Sequence, residues 1–146
     1  MTIALAADHG GFELKEALKT WLESKKFTVK DFGANELDMA DDYPDFGRPA
    51  AEFIANDPDN YRGIFICKSG QGMNIVANKI PSIRSILVTH SADFTNDEAA
   101  NVLSLAANTI DVDEAKQVVG LWLESLQQPL ADRHQRRVMK IEHLVD

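Results

Sequence analysis

The sequence predicts an α/β fold: a three-layer, Rossmann-like sheet of five parallel strands with helices on both faces and a C-terminal helix. Three observations carry that expectation. Apolar strand-like runs alternate with amphipathic helical stretches from one end of the chain to the other, the mark of a parallel sheet covered by helices. The first run, Ile3-Ala4-Leu5-Ala6-Ala7, is wholly apolar, as in strands buried on both faces. Polar and glycine-rich turns follow several of the runs, where open α/β sheets bind their ligands. The 146 residues have the length and apolar content of one domain spanning 1–146. No linker, repeat or low-complexity stretch divides them.

After the first strand, Asp8-His9-Gly10-Gly11 forms a turn, and Leu14, Ala17, Leu18, Trp21 and Leu22 recur at helical spacing. Phe27 to Phe32 alternates as a strand, ended by Gly33. Residues 34–44 lack periodicity and finish in Asp41-Asp42-Tyr43-Pro44, a long acidic loop of the kind that walls or covers a site. A helix from Phe46 to Ala55 breaks near Asp57-Pro58. Tyr61 to Cys67 reads as the third strand, Gly70 to Lys79 as the third helix, and Ile83 to Thr89, after Pro81, as the fourth strand. A short helix is expected over Asp93 to Ala100, then a fifth strand over Val102 to Ala107. Glu114 to Leu126 is amphipathic, and a last helix follows Pro129 from about Asp132 to Leu144.

Composition excludes several classes of partner. A formal net charge of -8 leaves no broad basic surface for nucleic acid. No apolar run approaches the ~20 residues of a membrane span, and Ile3–Ala7 is too short for a signal-peptide core. A single cysteine makes no internal disulfide, which fits a reducing, cytoplasmic setting. The basic exception is Arg133-His134-Gln135-Arg136-Arg137. At 100° per residue Arg133, Arg136, Arg137 and Lys140 share one arc, and Arg133 and Arg137 suit a bidentate grip on a small phosphate. The adjoining stripe of His134, Val138, Ile141 and Val145 needs a surface to cover, such as that of another subunit.

The chemistry points to Cys67-Lys68-Ser69-Gly70-Gln71-Gly72. A cysteine at a strand end is as readily a small buried apolar residue, but here a helix start and Lys68 favour its thiolate. The glycine-spaced loop behind it brings backbone N–H groups close to a ligand, for a phosphate or a developing oxyanion. It lacks the lysine of a P-loop and the third glycine of a dinucleotide fingerprint. Asp8 and His9 follow the first strand, His90 the fourth and Asn108 the fifth, so topology gathers them at one crevice.

In combination, Ala7-Asp8-His9-Gly10-Gly11-Phe12, Asp42-Tyr43-Pro44, Ile66-Cys67-Lys68-Ser69-Gly70-Gln71-Gly72, Ala77-Asn78-Lys79, Asn101-Val102-Leu103 and Arg133-His134-Gln135-Arg136-Arg137 resemble the sugar-phosphate isomerases of the ribose-5-phosphate isomerase B type, which include galactose-6-phosphate isomerase subunits. The resemblance implies aldose–ketose isomerisation of a phosphorylated sugar through a cis-enediolate, with no cofactor and no metal. It makes Cys67 the base between C1 and C2, Ser69 an assisting hydroxyl, and Gly70 to Gly72 the enediolate cradle. Asp8, Tyr43 and Asn101 would contact the sugar. His9, Arg133 and Arg137 would contact the phosphate, the arginines across a subunit interface of a homodimer or tetramer with a shared active site. One departure is prominent: Asp97 stands where the ribose-phosphate type has a ring-opening histidine. His90 or His134 is then expected to open the ring. The alternatives are a different phosphosugar, such as a hexose 6-phosphate of the allose or galactose type, or a phosphosugar-binding protein without turnover.

Overall fold

Short runs, most of them apolar, form five strands of one parallel sheet, β1 (Thr2–Ala7), β2 (Thr28–Asp31), β3 (Tyr61–Cys67), β4 (Ser85–Val88) and β5 (Val102–Ala106), in the order β2-β1-β3-β5-β4. The computed structural model describes residues 1–145. Asp146 and the side chains of Asp93 and Val145, the last expected on the apolar stripe of the final helix, lie outside the described residues. The helices are α1 (Phe12–Ser24), α2 (Pro44–Asn56), α3 (Gln71–Asn78), α4 (Val112–Ser125) and α5 (Asp132–Glu142).

The period of two divides each strand between two cores. Ile3, Leu5, Ile64, Ile66, Leu103 and Leu105 meet Leu14, Leu18 and Leu22 of α1 and Val118, Val119 and Trp122 of α4. On the other face, Ala4, Ala6, Phe65, Cys67 and Val102 meet Ala50, Ala51 and Ile54 of α2 and Met73 and Ala77 of α3. The expected three layers are therefore present. The neighbours β1 and β3 send their following helices, α1 and α3, to opposite faces, which opens a crevice at their carboxyl ends.

Two elements differ from the sequence pattern. The helix α2 starts earlier, at Pro44, because proline suits the first helical position, where an N–H is unpaired anyway. The expected helix over Asp93 to Ala100 is absent; a 3-10 turn, Ser91–Asp93, is followed by irregular chain. Side chains take the backbone groups a helix would use. Asn96 Oδ1 accepts the Ala100 N–H at 2.7 Å, and Arg84 donates to the carbonyls of Glu98 and Ala99 at 3.0 and 2.8 Å. Ala99 also sits at φ +49°, outside the right-handed helical region.

Candidate active site

The site is built where the turns after β1 and β3 meet the loop before α2. Cys67 ends β3 with 5% of its surface exposed, packed beneath α2 and α3. Its carbonyl accepts the Ala107 N–H and that of Lys68 the Asn108 N–H, both at 3.0 Å, so the chain beyond β5 is clamped to the start of the loop. Gly70 then takes φ +72°. A side chain there would meet Leu105 and Ala106 backbone at 3.0–3.1 Å, so glycine allows both the turn and the close approach. The turn delivers the chain into α3 with its first amides exposed. Gln71 N–H reaches Ser69 Oγ at 3.3 Å, while Gly72 and Met73 N–H find no acceptor among the described residues. Open donors at a helix start, next to a thiol, form a cradle for negative charge.

Tyr43 covers this cradle. A Cβ on Gly72 would fall on the Tyr43 ring, so the phenol lies against bare backbone. From the β1 side, Asp8 is buried and its Oδ1 accepts the Gly10 N–H at 2.9 Å, and Gly10 abuts the Lys68 side chain. The structure thus brings Asp8, His9, Tyr43, Cys67, Ser69, Gly70 and Gly72 into one neighbourhood.

It also supplies a residue the pattern did not single out. Asp41 Oδ1 accepts both the His9 backbone N–H at 2.9 Å and lies 2.7 Å from His9 Nδ1. The only signal in the chain was a carboxylate run closing an aperiodic loop, and nothing in it names His9 as the partner. Donor atoms of Asp8, His9 and Asp41 lie within 4.8 Å of one another, near enough to hold a cation. The closest pair, however, faces across a hydrogen-bond distance, which a proton satisfies.

A second group lies apart. His134, on the inner side of α5, is 4.0 Å from Asp97, and its Nε2 accepts from Arg133 Nε at 3.2 Å. Arg133, Arg136 and Arg137 are exposed. The helix is tied to its own chain by an ion pair of Glu142 with Arg84, and Met139, Ile141 and Leu144 remain exposed. Among the described residues no hydrogen bond or ion pair joins this group to the Cys67 neighbourhood.

Two expected placements are corrected. Asn101 does not reach the crevice. It precedes β5 at the amino edge of the sheet, 1% exposed, about 17 Å from the carboxyl end at strand rise. Its amide is consumed internally, Oδ1 by the Arg84 N–H and Nδ2 by the Ser82 carbonyl, each at 2.8 Å. His90 does follow β4 but is 56% exposed and turned to Glu114 of α4 at 3.9 Å, whereas Cys67 faces α2 and α3. The structure does not bring the two together within one chain.

The ribose/galactose isomerase family model matches residues 3–141. A ribose-5-phosphate isomerase B of Mycolicibacterium paratuberculosis is 35% identical over 94% of this chain and 87% of its own length. A D-erythrulose-4-phosphate isomerase of Pectobacterium atrosepticum is 34% identical over 86% of this chain and 84% of its own. The crystal structure of ribose-5-phosphate isomerase B from Mycoplasma genitalium with bound ribulose 5-phosphate superimposes with a TM-score of 0.87. It is 33% identical, over 97% of this chain and 93% of that one.

Proposed function

This chain belongs to the ribose/galactose isomerase family of aldose–ketose isomerases, and on that premise we propose that it interconverts ribose 5-phosphate and ribulose 5-phosphate. The observation that carries the mechanism is Cys67 at the end of β3 beside the unpaired Gly72 and Met73 amides. The Cys67 thiolate takes a proton from one of C1 and C2 and returns it to the other. The amides from Gly70 to Met73 hold the enediolate oxygen, where charge develops, and Ser69 assists proton movement at the sugar oxygens. Asp8 and Tyr43 contact the sugar, and His9 meets the phosphate.

The partition of the residues supports a site shared between two copies, in a homodimer or a tetramer of such dimers. Arg133 and Arg137 stand on a helix with an exposed apolar side, and among the described residues no hydrogen bond or ion pair joins them to their own Cys67 neighbourhood. They supply the phosphate grip of the second copy's crevice. His134, which accepts from Arg133 at 3.2 Å, accompanies them and opens the sugar ring.

Asp97 favours a second reading. Without the usual ring-opening histidine, the chain suits a substrate that does not cyclise, and a four-carbon sugar phosphorylated at C4 has no hydroxyl left to close a furanose ring. The activity of the Pectobacterium relative makes that class concrete. The test is ketose formation from ribose 5-phosphate, a tetrose 4-phosphate, allose 6-phosphate and galactose 6-phosphate, each alone. Turnover of ribose 5-phosphate that vanishes in Cys67→Ala supports the proposal. Turnover of the tetrose phosphate alone transfers support to the second reading. Full activity of Cys67→Ala would exclude the thiol base, and calorimetric binding without any turnover would leave a binding protein.

A further inference from the structure

We propose that Asp41 is a positioning residue that acts through His9, fixing the imidazole so that Nε2 is the nitrogen presented to the anionic end of a ligand. A single oxygen, Asp41 Oδ1, receives two groups of the same residue, the His9 backbone N–H at 2.9 Å and Nδ1 at 2.7 Å. One contact sets where His9 starts and the other sets its ring rotation, so rotamer and tautomer are fixed together. With its proton held on Nδ1, the ring leaves Nε2 as the nitrogen open to a partner; among the described residues nothing bonds it. His9 keeps 19% of its side chain exposed, against 8% for Asp41, so the ring is reachable and the carboxylate is not. Asp41 Oδ2 is buried with no hydrogen-bond partner, so the hydrogen bonding of this side chain goes to His9 alone. An imidazole that keeps Nδ1–H on Asp41 donates from Nε2 to a phosphate oxygen only as imidazolium, with its charge between carboxylate and phosphate.

Asp41 also links two parts of the crevice. It lies two residues before Tyr43, whose ring rests on Gly72. The same short segment that fixes His9 therefore covers the enediolate cradle, and the phosphate end and the reacting end of the site are set by one loop.

The role assigned to Nε2 rests on the reading of His9 as the phosphate contact, and the test separates the two. In ¹⁵N-histidine protein at about pH 8.5, above the ordinary imidazole range, the His9 signal, assigned with His9→Gln, is expected to carry its proton on Nδ1. In Asp41→Ala it reverts to the Nε2–H preference of free histidine, and Asp41→Asn, whose Oδ1 still accepts, retains Nδ1–H. Inorganic phosphate is expected to bind about tenfold more weakly to Asp41→Ala, the loss of one charge-assisted hydrogen bond. In the His9→Gln background Asp41→Ala should add nothing further. With a turned-over sugar phosphate Asp41→Ala alone raises KM by a larger factor than it lowers kcat. A bare Nδ1 in the wild type, or an equal loss of phosphate binding with and without His9, overturns the proposal. If no sugar phosphate is isomerised but the tautomer and phosphate results hold, the functional reading falls and the role of Asp41 stands.

Discussion

Cys67 and the two glycines behind it illustrate how much a single position carries. Cys67 is buried at a strand end, yet the amides it adjoins belong to the first turn of α3, where no internal acceptor exists. Gly70→Ala forces a Cβ onto a φ of +72° and against the Ala106 backbone. It is expected to cost about 1–3 kcal/mol in a urea unfolding experiment. At Gly72 the effect is different, because the obstacle is a ring rather than backbone. Gly72→Ala pushes Tyr43 off the cradle, so turnover should fall more than stability does, with the midpoint of thermal unfolding moving by only a few degrees. Equal losses in both would mean that Tyr43 pins the loop and does nothing for the sugar.

At the scale of elements, the loop that carries Asp41 and Tyr43 is held at its root by a buried ion network. Lys15 of α1 is fully buried and donates to both Asp31 oxygens at 2.9 and 2.8 Å. Asp31 Oδ1 also accepts the Gly33 N–H at 2.9 Å, and Gly33 in turn accepts from Ala7 at the end of β1. Burial pushes the Asp31 carboxyl up, but the Lys15 and Gly33 hydrogen bonds and the Lys15 charge outweigh it and hold the group below its ordinary 3.8. A carboxyl lowered on folding binds fewer protons in the native state, so its contribution is present above about pH 4 and lost as pH falls through the lowered value. The gap in unfolding free energy between wild type and Asp31→Asn is therefore expected to narrow between about pH 5 and pH 2. A gap that stays constant would show that the pair contributes nothing through charge. At α4, Asp111 Oδ1 caps the Glu114 N–H at 2.8 Å, and Asp111→Ala should cost about 1 kcal/mol by denaturant melting.

For the whole molecule, the proposed sharing of each site between two copies makes a prediction that no single-chain defect mimics. A Cys67→Ala subunit and an Arg133→Ala/Arg137→Ala subunit should each be nearly inactive. If two copies share each site as proposed, unfolding, mixing and refolding them together makes half of the dimers hybrids with one intact site. Activity should then return to roughly a quarter of wild type, by random pairing in a two-fold dimer. No recovery on mixing would place both groups in the same chain's site.

Much of this was legible in the chain because it is written in short-range periodicity. The unbroken apolar runs from Ile3 to Ala7 and from Gly63 to Cys67 dictate strands buried on both faces. The glycine spacing after Cys67 dictates a tight strand-to-helix turn, and the cationic arc of the last helix follows from 100° per residue. What the chain could not state is which distant residues meet. His9 and Asp41 are 32 positions apart, joined by a loop without any period, so only the folded geometry pairs them. Asn101 follows the same logic in reverse: its motif suggested the site, but the parallel register of β5 against β3 sets it at the amino edge. Local sequence determined the elements and the reactive loop, because propensity and pattern act over a few residues. The tertiary structure decided the partners, because the sheet order and the two faces of each strand fix which turns share a crevice.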